Sequence, residues 1–88
     1  MSRSLRLRPG TVEWRRLEDE VVAVDTRNTV YMAVNRSGAV LWPMLLDGAT
    51  RDELISRLAT AYDLQRTEAE RDVDAFVRAL EDQDLLEP

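Results

Sequence analysis

The residues of this chain that could do chemistry are acidic, because the sequence contains neither histidine nor cysteine. Those absences remove the commonest general base and the commonest zinc ligands. In the last predicted helix Glu68 and Asp72 are four residues apart, so they share a face and could together hold a hard cation. Asp72 and Asp74 are two apart and do not face each other. A solvated helix surface accounts for the same spacing, so the sequence predicts no catalytic residue, no metal site and no cofactor.

Composition indicates one small globular domain. The 88 residues are 44% hydrophobic and 33% charged, and all 12 basic residues are arginine. This length suits a single domain with a modest core. No apolar run approaches the ~20 residues that span a membrane, so we expect a cytoplasmic protein without a membrane partner.

The distribution of charge argues against a nucleic-acid partner. The net charge is −5, and residues 67–88 carry eight carboxylates against Arg71 and Arg78. Binding to nucleic acid depends largely on Lys and Arg contacts with phosphates, so an acidic last helix would be repelled. Residues 1–17 carry five arginines against Glu13. The two ends could attract each other or present a polar docking surface.

The first third of the chain predicts a small sheet. Residues 1–10 show no periodicity and end in the turn signal Pro9–Gly10, so we expect an arm there and a folded domain over 11–88. Short runs of β-branched and apolar residues predict three strands, within 11–17, 21–26 and 29–34. Consecutive strands joined by short turns form an antiparallel meander, so the first and third of these strands would be its edges.

Beyond residue 35 the apolar spacing becomes helical and predicts helices near 36–47, 50–62 and 67–83. Two capping boxes, Thr50 to Glu53 and Thr67 to Glu70, mark the starts of the second and third helices. Pro43 removes a backbone hydrogen bond within the first helix, so we expect a kink or a short first turn. The sequence therefore predicts an α+β fold of winged-helix type, a three-stranded antiparallel sheet followed by three helices.

The third strand runs straight into the first helix, and Asn35 is suited to cap that helix. On the last helix, Ala75 and Ala79 lie on one shoulder of the apolar stripe and leave room beside it. If the free strand edge runs along that shoulder, the two elements form a groove. An extended peptide could pair with the strand there and insert alternate side chains into apolar pockets.

Residues from both elements are predicted to line this groove. Val30, Met32 and Phe76 would form pockets, and Asp72 would receive a hydrogen-bond donor or a positive charge. Ordinary core packing is the simpler explanation of Met32, Phe76 and Leu80 from the pattern alone, so both interpretations stay open. The full predicted peptide-binding set is Thr29, Val30, Tyr31, Met32, Ala33, Asp72, Ala75, Phe76, Ala79 and Leu80.

Several segments together resemble the PqqD-like family. The features in common with the family are a strand that ends in Asn before a helix, a helix that ends in Leu-Leu-Asp-Gly, an Asp-Val pair before the last apolar stripe, and a final Leu-Leu pair. These segments are 30–35 with Gly38, 41–48, 72–80 and 85–86. The similarity covers residues 5 to 87. Pro43 departs from the helix former usual at its position.

The resemblance implies a recognition element for ribosomally synthesised and post-translationally modified peptides. Such domains bind the leader segment of a precursor peptide as an extra strand beside the last helix and present it to modifying enzymes. Stand-alone members serve pyrroloquinoline quinone assembly, with a radical enzyme, or lasso peptide assembly, with a leader peptidase and a cyclase. The arginine-rich arm favours the lasso type. The competing interpretation is an acidic winged-helix module that docks another protein or dimerises without binding a leader.

Overall fold

The computed structural model describes residues 3–10, 12–18, 20–27 and 30–87. Within these residues the chain forms five strands and three helices. The strands are β1 Ser4–Leu5, β2 Val12–Leu17, β3 Glu20–Asp25, β4 Val30–Val34 and β5 Ala49–Thr50. The helices are α1 Arg36–Asp47, α2 Arg51–Tyr62 and α3 Arg66–Asp82. The predicted α+β fold, with an antiparallel sheet followed by helices, is confirmed.

The main sheet has the order β2-β3-β4 and is antiparallel throughout, so the predicted meander is also confirmed. Side chains alternate across it, as the pleat requires. Val21 and Ala23 of β3 are buried on the face that meets the helices, and they pair with Val34 and Met32 of β4. Val22 lies on the opposite face and is only half-buried.

Helix α1 lies at the centre of the domain and contacts β3, β4, α2 and α3. Its Leu41, Trp42 and Leu45 are completely buried, which agrees with the apolar pattern around that helix. Trp42 meets Trp14 of β2 edge to face, with ring centroids 6.1 Å apart. Edge-to-face packing is favourable because the positive edge of one ring lies against the negative face of the other.

The helix starts agree with two of three predicted caps. The Asn35 side chain accepts a hydrogen bond from the backbone N–H of Gly38 at 3.0 Å, and the capping box between Thr50 and Glu53 is complete. The predicted box from Thr67 to Glu70 is wrong. Helix α3 already begins at Arg66, and its N-cap residue makes no side-chain cap bond. Glu70 instead accepts a hydrogen bond from Arg66.

Helix α1 continues through Pro43 and does not start late, since it begins seven positions earlier at Arg36. A proline cannot donate to the carbonyl four residues before it, which leaves the oxygen of Ala39 without its helical partner. The Arg16 guanidinium of β2 donates to that oxygen at 3.2 Å. The lost backbone bond is thus replaced by a side chain from the sheet.

The described part of the predicted arm packs against the domain. Strand β1 pairs antiparallel with β5, and Leu5 and Leu7 are buried. The Leu7 N–H donates to the Leu45 carbonyl, and Leu7 also forms a bridge with Leu86 near the C-terminus. After α3 the chain turns inward, and Leu85 and Leu86 are both buried. The division between an arm at 1–10 and a domain at 11–88 stays a prediction.

Among the described residues, no helix combines the length and apolarity needed to cross a membrane.

Candidate peptide-binding groove

A cavity of about 380 Å³ lies between β4, the first half of α1 and one face of α3. Its walls are the strand and α3, and its floor is α1, which contacts both. The residues that line it are Met32, Ala33, Val34, Asn35, Ser37, Gly38, Leu41, Asp72, Ala75, Phe76 and Ala79. The predicted juxtaposition of the third strand with the alanine shoulder of the last helix is therefore present.

Small side chains on α3 keep this groove open. Ala75 and Ala79 are exposed and four residues apart, so they share one face of the helix. Phe76 is half-buried beside them, and Met32 of β4 is half-buried on the opposite wall. Both apolar side chains therefore combine partial core packing with a surface that an incoming group could cover.

The outer edge of β4 borders the cavity. Within the described residues β4 pairs only with β3, so its other row of N–H and C=O groups has no strand partner. Such an edge is a template for another strand. Asp72 alone is charged among the described residues that line the cavity, and it is exposed. The site can thus hold an extended, largely apolar chain, with one carboxylate for a donor.

Of the predicted site residues that the structure describes, six line the cavity. These are Met32, Ala33, Asp72, Ala75, Phe76 and Ala79. Leu80 is completely buried in the core, and Tyr31 projects from the other face of β4 with 73% of its surface exposed. Val30 lies in β4, but its side chain is outside the described part of the chain, as is the whole of Thr29.

The sequence did not predict the floor of the groove. The lining residues there come from the end of β4 and the start of α1 and are Val34, Asn35, Ser37, Gly38 and Leu41. The sequence feature that could have indicated this floor is the direct passage from β4 into α1, which places the first turns of α1 beside the last residues of β4. In the sequence, Asn35 predicts only a helix cap, and Gly38 contributes only to the family resemblance.

Because Gly38 has no side chain, Val34 of β4 and Phe76 of α3 can pack closely against α1. A Cβ atom at this position would lie 2.5 Å from Cγ1 of Val34 and 2.9 Å from Cε1 of Phe76. Any larger residue would therefore push Phe76 toward the cavity or displace a buried valine.

We expect Gly38→Ala to destabilise the domain, although alanine normally favours a helix over glycine by ~0.5–1 kcal/mol. Overpacking of a filled site costs ~1–3 kcal/mol, so the net loss should be about 1 kcal/mol. Urea unfolding followed by circular dichroism measures it as a lower midpoint. A raised midpoint would mean that Phe76 moves aside freely and that Gly38 does not set the shape of the groove.

Across the described stretches of the chain, no group of three or more potential ligand residues could hold a metal ion. Glu68 and Asp72, whose spacing would allow a shared cation, are two exposed carboxylates on α3.

Comparison with known proteins identifies the same architecture. No curated protein sequence matches the chain significantly. One similar solved structure is TbiB1 in complex with the TbiA(beta) leader peptide, with a TM-score of 0.82, 28% identity and coverage of 93% of this chain and 94% of that one. Another is a lasso peptide synthetase B1 complexed with the leader peptide, with a TM-score of 0.79, 31% identity and coverage of 96% and 98%. Residues 20–86 match the family described as coenzyme PQQ synthesis protein D (PqqD). The chain therefore belongs to the PqqD family.

Proposed function

We propose that this protein binds the leader segment of a ribosomally synthesised precursor peptide as an additional strand on β4. One observation carries the proposal: the edge of β4, which no other described strand pairs, borders an apolar groove whose opposite wall is α3. The two similar structures are themselves complexes with leader peptides, which supports the same ligand class here. The protein acts as an adaptor in this proposal and performs no catalysis itself.

The energetics require both parts of the site. Each main-chain hydrogen bond contributes a net ~0.5–1.5 kcal/mol, whereas ordering an extended segment costs about 1–2 kcal/mol per residue. Strand pairing alone therefore cannot drive binding. Apolar side chains that enter the groove contribute ~1.5–3 kcal/mol each when well buried, which supplies the difference.

Amide hydrogen exchange with a synthetic leader tests the proposal. The probes are the TbiA(beta) leader and the leader of any precursor peptide encoded beside this protein. Binding should slow exchange in β4. Of two leaders N-methylated at alternate residues in opposite phase, one should bind weakly because its blocked N–H groups are those that face the strand. If the unmodified leader binds with protection confined to other surfaces, strand addition to β4 is refuted.

We also propose delivery of the bound leader to a modifying enzyme, with a leader peptidase or cyclase of the lasso type as the partner. The outer face of the main sheet supports this part. There Val22 and Val24 are half-buried, while Leu17 and Tyr31 are 50% and 73% exposed. The face continues directly across β4 toward its free edge, so a leader strand added there would extend it.

For this face we expect Leu17→Gln to slow leader cleavage by the partner peptidase about fivefold while leader affinity stays unchanged. Half of the side chain remains to be covered, so its burial against an enzyme contributes ~1 kcal/mol. The matched control is Leu46→Gln, which changes another partly exposed leucine on α1. Equal cleavage rates for the two variants would exclude this face as the docking surface.

A further inference from the structure

Asp25 at the end of β3 is the one charged residue that is buried among the described residues. Its carboxylate accepts hydrogen bonds from Arg27: Oδ1 from the backbone N–H at 3.0 Å and from Nε at 3.2 Å, and Oδ2 from Nη2 at 3.4 Å. A buried charge costs free energy unless it is paired and hydrogen-bonded. Asp25 therefore holds the Arg27 side chain in a fixed position.

The same guanidinium reaches across to the end of α3. Arg27 Nη1 donates to Oδ2 of Asp84 at 3.3 Å, and Nη2 donates to the carbonyls of Asp84 at 2.9 Å and Gln83 at 3.4 Å. Asp84 has a φ of 56°, which turns the chain sharply after the helix. Arg8 also donates to Asp84 at 2.9 Å. The planar side chain of Arg27 thus joins the end of β3 to the segment directly after α3.

These two segments belong to the two walls of the groove. Asp25 pairs with Val30, the first residue of β4, and Gln83 follows the last residue of α3. At the other end of the groove the walls are held by packing on α1, where Gly38 lies against Val34 and Phe76. The Arg27 network therefore links the end of β3, which lies beside the start of β4, to the segment after α3, at the end of the groove opposite Gly38.

We propose that Arg27 is a positioning residue that sets the width of the groove, and thereby leader affinity, without contacting the leader. The inference rests on the proposed function, since it concerns the same groove. Arg27 is not among the residues that line the cavity. An arginine suits this role because its planar fork bonds several acceptors in fixed directions, which a lysine ammonium does not do.

The test is a comparison of Arg27→Met with Arg51→Met. Arg51 of α2 makes a bidentate pair with Asp74 of α3 at 2.7 and 2.8 Å, so its loss also removes an ion pair from α3 but does not involve β4. Fluorescence anisotropy with the fluorescein-labelled TbiA(beta) leader, and with the leader of any precursor peptide encoded beside this protein, should show affinity reduced at least fivefold for Arg27→Met. Arg51→Met should stay within twofold, and Arg27→Lys should not restore wild-type affinity.

A distance measurement separates this role from simple loss of stability. The chain contains no cysteine, so spin labels can be placed at Tyr31 on β4 and Asp82 on α3 through introduced cysteines. In the free protein, the distance distribution should broaden in Arg27→Met and remain narrow in Arg51→Met. If Arg27→Met does not fold, the double variant Asp25→Asn with Arg27→Met also neutralises the buried carboxylate and is tested in its place.

The outcomes distinguish the two proposals. If the wild-type protein binds neither leader, the proposed function fails, and the distance measurement alone decides whether Arg27 sets the groove width. If the wild type binds and the folded Arg27 variant binds equally well, or its distance distribution is unchanged, the role of Arg27 is refuted while leader binding stands.

Discussion

Replacing Ala79 with tryptophan will weaken leader binding at least tenfold, equivalent to ~1.4 kcal/mol. Ala79 is exposed and lines the groove on α3. A tryptophan side chain covers up to ~150–250 Å² and would occupy the space that the leader's apolar side chains require. The change adds bulk to an exposed helical position, so it should affect binding far more than folding. Fluorescence anisotropy with the labelled leader gives the affinity directly.

The control for this variant is Ala61→Trp. Ala61 is an exposed alanine on α2 that does not line the groove, so the same change there should leave affinity within about twofold. Arg57→Ala, also on the exposed surface of α2, should behave in the same way. Circular dichroism confirms the fold of each variant before titration. Normal leader binding by a folded Ala79→Trp protein would show that the groove is not the binding site.

Truncating Trp42 to alanine will cost ~3–5 kcal/mol of folding free energy, the usual range for a buried large aromatic residue. The side chain is completely buried in α1 and packs on Trp14. A domain of 88 residues has a total stability of about 4–13 kcal/mol, so this one change could unfold a large fraction of the protein. Urea unfolding monitored by circular dichroism measures the loss.

Two companion variants show whether burial is the cause. Trp14→Ala should cost less, because 41% of that side chain is already exposed. Trp42→Phe should also cost less, since it retains a ring and removes an indole N–H that has no acceptor within the described residues. Equal losses for the alanine variants would contradict the assignment of Trp42 to the centre of the core.

The main sheet and the helices could be predicted because their signals are local. β3 alternates buried Val21 and Ala23 with half-buried Val22 and Val24. Helix α1 is apolar nearly all round because sheet and helices cover it from different sides. The strand edge and the alanine shoulder of α3 also follow from local patterns. Those patterns predicted the two walls of the groove but contained no information about the distance between them.

What could not be predicted depends on contacts distant in sequence. Strands β1 and β5 contain two residues each, too short for a period to be visible, and pair across more than forty positions. Leu80 was placed in the groove because it shares the apolar stripe with Phe76, yet the stripe is wider than the groove and Leu80 lies fully inside the core. Only the packing of α3 on α1 and α2 decides which part of that stripe remains open.

The bond between Arg16 and the Ala39 carbonyl makes the effect of one residue depend on another that is distant in sequence. With Pro43 present, the arginine is the donor that this carbonyl lacks; with any other residue there, the backbone N–H could serve instead. A lineage that acquires the proline first passes through a weakened helix, whereas one that acquires the arginine first does not. Positions 16 and 43 should therefore change together among relatives, and transplanting Pro43 alone into a homologue would be harmful.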